Sequence, residues 1–282
     1  MILFGSLLGL AGFFLLRPAV AGSGYYRPRP NGNGYAYWYL TAAAFVPYAF
    51  ALRSASRGVA PQARTLLMGS VVLFVAFLPA PAQQSQDVYQ YLLYGKMALH
   101  GFNPYVISAA HLHDAWKVYT LWDNTLSVYG PLWTSVCAGV VWISGGNLTV
   151  AFLLMKVVTA GLGITTAAVV ARATEVPSAA AGGLRVRPEF VILAFAYNPM
   201  VLVAAGMGAN VDVAVGAALA GALLAERSRR PAITTFLLTM AVLIKAYAVL
   251  LLLAWLVSIG KRRGVGSAFA HAAGAGVLVL GG

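Results

Sequence analysis

Eight apolar runs, separated by short connections that carry arginine and lysine, leave this chain little choice of fold. They cover roughly Met1–Leu16, Tyr35–Leu52, Thr65–Ala80, Leu148–Ala171, Phe190–Ala205, Val211–Ala225, Ile233–Ile259 and Val265–Leu280. A hydrocarbon core takes ~20 helical residues to cross, and a backbone in lipid must satisfy its own hydrogen bonds. The pattern therefore predicts an all-α polytopic membrane protein, a single helical domain over residues 1–282. Charged residues make up only 9%, far below the usual quarter of a soluble domain. The net charge of +12 fits membrane topology and gives no reason to invoke nucleic acid as a partner. One cysteine, Cys137, excludes an internal disulfide framework and a Cys-based zinc site.

The basic residues set the orientation. Placing segments 53–64 (Arg53, Arg57, Arg64), 172–188 (Arg172, Arg185, Arg187), 226–230 (Arg227, Arg229, Arg230) and 261–263 (Lys261, Arg262, Arg263) inside puts twelve of nineteen there. Arg17, Arg27, Arg29, Lys96 and Lys117 stay outside, and Lys156 and Lys245 fall within apolar runs. This parity requires that Tyr129–Ser144 not cross and that Pro231–Gly260 cross twice. A charge at the bilayer centre costs ~3 kcal/mol or more, so the second run should break at Lys245 and lift it toward the outer face. Two halves of about 14 residues rise only ~21 Å each, which places the turn within the outer leaflet at the floor of an external pocket. Ala19-Val20-Ala21 resembles a signal-peptidase site, but without basic residues before the first apolar run a retained helix is favoured. Residues 172–188 read as a cytoplasmic linker. The sequence stops inside an apolar run, which points to a truncated chain.

The one long connection, residues 81–147, holds Asp87, Asp114 and Asp123, three of the four histidines and four of the six tryptophans. Long loops of this kind are usually functional. From Ser85 to Lys96 the spacing is helical, with Asp87, Tyr91 and Tyr94 on one face, and predicts an amphipathic helix along the membrane interface. Asp87 is either an N-cap carboxylate or a general base at the mouth of the pocket. His111-Leu112-His113-Asp114 offers metal-ligand chemistry, yet no helical pairing or second cluster supports it, and no metal or other cofactor is expected. In Tyr129-Gly130-Pro131-Leu132-Trp133, Gly-Pro sets a turn and the aromatics anchor it; Tyr129 also stands where it could line the pocket. Asn198-Pro199 is expected to end the helix that rises outward, and Gly206 to Asp212 is the short external turn that follows. Asp212 there suits a helix N-terminus as well as a site. The topology brings Asp87, Asn210, Asp212, Lys156 and Lys245 to the outer side together. For each lysine, snorkelling or a structural pairing is the plain alternative.

At these residues the chain resembles the GT-C superfamily of polytopic glycosyltransferases, most closely the actinobacterial polyprenol-phosphate-mannose-dependent α-1,6-mannosyltransferases. The resemblance rests on Ser85-x-Asp87-Val88-Tyr89-x-Tyr91-x-x-x-Gly95-Lys96, Gly101-x-Asn103-Pro104-Tyr105, Tyr129-Gly130-Pro131-Leu132-Trp133, Asn198-Pro199-Met200-Val201-Leu202 and the Gly208–Asp212 turn. It runs from Phe4-Gly5-Ser6-Leu7-Leu8 to about Trp255. It implies a GT-C-like bundle in the bacterial cytoplasmic membrane and an extracytoplasmic site. Residues 81–147 would be the catalytic loop, with Asp87 as the catalytic carboxylate. The donor it implies is a polyprenyl-phosphate sugar, the acceptor a glycan or glycolipid. Relatives often end the later turn His-Asn-Asp, whereas this chain has Ala209-Asn210-Val211-Asp212, which displaces the acid by one residue. Phosphate as a leaving group calls for cations, and Lys245 and Lys156 could bind it; Tyr91, Tyr129, Asn210 and Asp212 are the candidate substrate contacts. Base and leaving group on opposite faces of the sugar would invert the anomeric centre. A secondary transporter is the competing class, but it would show paired interruptions in two related halves and buried acids. A membrane scaffold would need no convergent polar set.

Overall fold

The computed structural model describes residues 1–16, 34–80, 82, 87–176 and 186–280. The Ala19-Val20-Ala21 site, most of the 172–188 linker and Ser85 of the first motif lie outside the described residues. Every regular element among the described residues is helical: α1 (Ile2–Leu16), α2 (Gly34–Ser56), α3 (Ala63–Phe77), α4 (Asp87–Leu99), α5 (Pro131–Ile143), α6 (Leu148–Glu175), α7 (Pro188–Ala196), α8 (Pro199–Val201), α9 (Asp212–Arg227), α10 (Pro231–Ile244), α11 (Val249–Arg263) and α12 (Val265–Leu280). Among these, α6 is the one helix long and apolar enough to cross a membrane alone, and α7 with the residues up to Met207 passes as a second, bent span. Large apolar side chains face outward along the bundle, among them Phe50, Met68, Leu250 and Phe269. So much exposed apolar surface is foreign to a monomer in water.

The run from Pro231 reverses at Lys245, as the parity of basic residues requires. Lys245 has an extended backbone (φ −154°, ψ 122°) between α10 and a short 3-10 turn, Ala246–Ala248. Trp255 Nε1 donates to Thr235 Oγ1 at 2.9 Å, pairing residues ten before and ten after the break. Arg262 on α11 meets Glu226 at the end of α9, beside the start of α10. Both helices are short, 14 and 15 residues.

Asn198-Pro199 ends α7 at Ala196 as expected, and a new helix starts at Pro199, bent by 51° from the first. Pro199 has no N–H to continue the ladder, so the chain restarts: Asn198 Oδ1 accepts from the Met200 N–H (2.9 Å), and Tyr48 Oη donates to the Ala194 carbonyl (2.6 Å). The helix then continues into a π-helical turn, Leu202–Met207. One expectation is corrected: α4 is no interfacial amphipathic helix, because Val88 to Gly95 are all buried. Gly95 lets α5 approach to backbone contact on one side, where an added Cβ would lie 2.5 Å from the Cys137 carbonyl carbon. On another side Tyr89 stacks on Phe152 of α6 (5.4 Å, 9°). The 109–125 segment covers the rest through Lys96–Asp114 (2.6 Å) and Tyr94 Oη to the Thr125 carbonyl (3.0 Å).

Candidate functional site

Asp87 opens α4 and is partly exposed. One turn on, Tyr91 is buried and lies edge-on to Tyr129 at 4.7 Å between ring centroids. Tyr94, another turn on, lies 6.3 Å from the same ring. The helical spacing thus brings Asp87, Tyr91 and Tyr94 to one face, and Tyr129 closes over it. Tyr129 is held there by its neighbour. The Gly130 N–H donates to the Ile244 carbonyl at 2.8 Å, and a Cβ at residue 130 would stand 2.0 Å from the Leu243 oxygen. Only glycine fits this approach, and Pro131 at the first position of α5 fixes the exit. The turn is therefore seated on the end of α10, next to Lys245.

The third arm is the turn after the π-helix. Ala209 takes φ +50°, a left-handed conformation uncommon outside glycine. Asn210 Oδ1 accepts from the Asp212 N–H (2.8 Å), while the Asn210 N–H donates to the Ala204 carbonyl (2.9 Å). Ala209 and Val211 are buried in the same apolar cluster as Tyr91, which ties this turn to α4. Asp212 starts α9 and points at the hairpin: Lys245 Nζ donates to its Oδ1 at 2.8 Å and Tyr247 Oη to the same oxygen at 3.1 Å. The pair keeps access to solvent, with side chains 25% and 50% exposed for Lys245 and Asp212.

Burial pushes the Tyr91 and Tyr129 phenols up in pKa, and the Asp87 charge pushes both further the same way. Asp212 adds to this at Tyr129. A phenolate beside two carboxylates in a dry setting is unfavourable, so both hydroxyls stay protonated. The site thus offers two carboxylates, two neutral phenolic hydroxyls and one ammonium.

Six of the seven residues named from sequence meet here: Asp87, Tyr91, Tyr129, Asn210, Asp212 and Lys245. The seventh, Lys156, does not join them. It is fully buried (0% exposed), and its ammonium donates to the carbonyls of Phe77, Leu78 and Ala80 at the end of α3. Three N–H groups on three carbonyls leave none for a phosphate. Lys245 has a protein partner as well, for Asp212 is within 2.8 Å of its ammonium. Tyr247 went unnoticed as one more aromatic in an apolar run, though it sits two residues beyond the break. Asp114 is occupied by Lys96 and by the Trp116 N–H (2.8 Å), and His111 Nδ1 by Ser108 Oγ (3.1 Å). Among the described residues no group of three or more His, Cys, Asp or Glu is placed to hold a metal ion. Gly101, Asn103 and Tyr105 build a turn, with φ +79° at Gly101, and fasten it to α5 through Tyr105 Oη and Thr134 Oγ1 (2.9 Å).

Comparison with known proteins identifies the family. Residues 7–260 match the family model for the N-terminal domain of α-(1→6)-mannopyranosyltransferases. A relative in Corynebacterium glutamicum, α-(1→6)-mannopyranosyltransferase A, is 29% identical over 185 residues, 64% of this chain and 36% of that protein. A probable α-(1→6)-mannopyranosyltransferase of Mycolicibacterium smegmatis is 32% identical over 106 residues, 36% of this chain and 18% of the relative. An α-(1→6)-mannopyranosyltransferase of Mycobacterium tuberculosis is 33% identical over 86 residues, 29% and 15% of the two chains. The chain spans about a third or less of the length of these relatives. No solved structure matches it.

Proposed function

Because the chain belongs to the α-(1→6)-mannopyranosyltransferase family, we propose that it transfers mannose from a polyprenyl-phosphate donor to a hydroxyl of a glycan or glycolipid, at the extracytoplasmic face of the bacterial cytoplasmic membrane. The observation that carries this reading is the meeting of Asp87 with the Asp212–Lys245 pair around Tyr91 and Tyr129. Asp87 takes the proton of the attacking hydroxyl as its oxygen bonds to the anomeric carbon. The bond from that carbon to the phosphate oxygen breaks, and the polyprenyl phosphate leaves with the electron pair. Lys245 and the Tyr247 hydroxyl stabilise the charge that gathers on the departing oxygen. Asp212 holds the ammonium in place until the phosphate arrives and then competes with it for N–H donors. Tyr91 and Tyr129, kept neutral, offer an aromatic wall and hydroxyls for the sugar. With the base on one face and phosphate on the other, the anomeric centre inverts. The outward-facing apolar residues contact lipid, and a membrane-embedded hairpin suits a donor whose tail lies in the bilayer.

The test uses membranes containing this chain, synthetic polyprenyl phosphomannose labelled in the sugar, and an oligomannoside acceptor. Label should reach the acceptor from the lipid donor and not from GDP-mannose. Transfer from the nucleotide sugar alone would refute the donor assignment. Movement of the lipid-linked sugar across the membrane without transfer would favour a carrier.

A further inference from the structure

Lys156 is left with an unexplained burial. An ammonium at 0% exposure is expensive unless its charge is compensated, and among the described residues no carboxylate lies within ion-pair distance. Its compensation is the carboxyl end of α3, where the carbonyls of Phe77, Leu78 and Ala80 accept all three of its N–H groups. The Phe77 carbonyl also accepts from the Ala80 N–H (3.2 Å), and all three carbonyls sit at the negative end of the α3 dipole, which favours a cation there. The α3 end is thereby fixed to the middle of α6.

Lys156 is not alone on its face. Phe152, one turn before it, lies flat on Tyr89 (5.4 Å, 9°), two residues after Asp87 on α4. The ammonium lies 5.1 Å from the centre of the same Phe152 ring. Thr159, one turn after, donates its hydroxyl to the Ala205 carbonyl at 2.7 Å, inside the π-helical turn that leads to Asn210 and Asp212. Residues 152, 156 and 159 stand at i, i+4 and i+7, a single helical stripe. The segments it grips also press on each other, for a Cβ at Gly206 would lie 2.9 Å from the Phe77 Cβ.

We propose that the Phe152–Lys156–Thr159 stripe of α6 is the positioning spine of the site. It sets the separation and register of Asp87 against Asp212, with Lys156 as a positioning residue that touches no substrate. This rests on the proposed function for its catalytic consequence, though not for its geometry. Catalysis by groups held in fixed relation is sensitive to displacement, and a 1 Å shift costs on the order of 10²-fold in rate. Ground-state contacts to a long lipid donor are spread more widely and should change little.

The test combines Lys156→Met with Thr159→Val, which removes one hydroxyl at nearly constant volume and keeps the test open if the first variant does not accumulate. In mannosyl transfer each should lower kcat by about 10-fold or more while the donor KM stays within about twofold. In an Asp87→Asn background the further loss from Lys156→Met should shrink to about twofold, because both changes remove one shared effect. An activity-free arm places cysteines at residues 87 and 212 in a Cys137→Ala background and follows cross-linking by a short bismaleimide. Both spine variants should alter its yield. Unchanged cross-linking with additive losses of kcat would overturn the inference. Near-normal turnover of Asp87→Asn alone would instead refute the base assignment and leave the cross-linking result standing.

Discussion

Gly95→Ala separates packing from propensity in one experiment, because α5 supplies its own control. At residue 95 a Cβ would meet the Cys137 carbonyl carbon at 2.5 Å, the Ala138 nitrogen at 2.6 Å and the Cys137 oxygen at 2.7 Å. Carbon atoms rest at about 3.5 Å or more, so α4 and α5 must part by roughly 1 Å, and no side chain can swing away to relieve them. Overpacking of this kind costs up to about 3 kcal/mol, against a gain of about 1 kcal/mol in helix propensity. The expected result is a net loss of about 2 kcal/mol, or about 4 to 8 °C in Tm for a protein of this size. At Gly139 of the facing helix nothing lies within 4 Å of the added Cβ. Gly139→Ala should therefore be neutral or stabilising by up to about 1 kcal/mol. Cys137, the sole cysteine and 1% exposed, reports the opening directly through its reaction with maleimide. Labelling should quicken in Gly95→Ala and not in Gly139→Ala. Equal labelling rates and equal Tm in the two variants would refute the reading of α4 and α5 as backbone-packed.

The lysine and the acid at the hairpin should respond in opposite senses. Lys245→Met should raise the donor KM by about 10-fold or more with the protein still in the membrane, since a charge-assisted bond to phosphate is lost. Asp212→Asn should lower that KM, because the ammonium no longer has a competing carboxylate at 2.8 Å; a higher KM would show that Asp212 serves binding. Cysteines replacing Lys245 and Lys261 in the Cys137→Ala background should be labelled from opposite sides of the membrane, and labelling of both from outside would refute the hairpin as a pair of crossings.

What could be read from the sequence was whatever the membrane or the helix period constrains. A lysine in the middle of a thirty-residue apolar run forces a break, and the break is at Lys245. The i, i+4, i+7 spacing put Asp87, Tyr91 and Tyr94 on one face, and Tyr129 covers it. The identity of partners was not legible. A buried ammonium demands compensation, yet hydropathy cannot distinguish a carboxylate, as at Lys245, from a nest of carbonyls, as at Lys156. That the chain restarts as a helix past Pro199 was not legible, because the Ala194 carbonyl, released when the Asn198 N–H turns to Phe195, finds its donor in Tyr48, 146 residues away in sequence. The Tyr-rich start of α4 has the composition of an interfacial helix. Its burial follows from Gly95 admitting α5 and from the Tyr89–Phe152 stack, both long-range facts.

The central claim is that Asp87 accepts the proton of the attacking hydroxyl, and Asp87→Asn measures it most directly. Asparagine keeps the size and hydrogen-bonding shape of the side chain and serves a helix N-terminus almost as well, but it is no base. Single-turnover transfer from polyprenyl phosphomannose should fall by about 10² to 10⁴ while the protein accumulates normally and still binds donor. Transfer at a near-normal rate by Asp87→Asn would contradict the account.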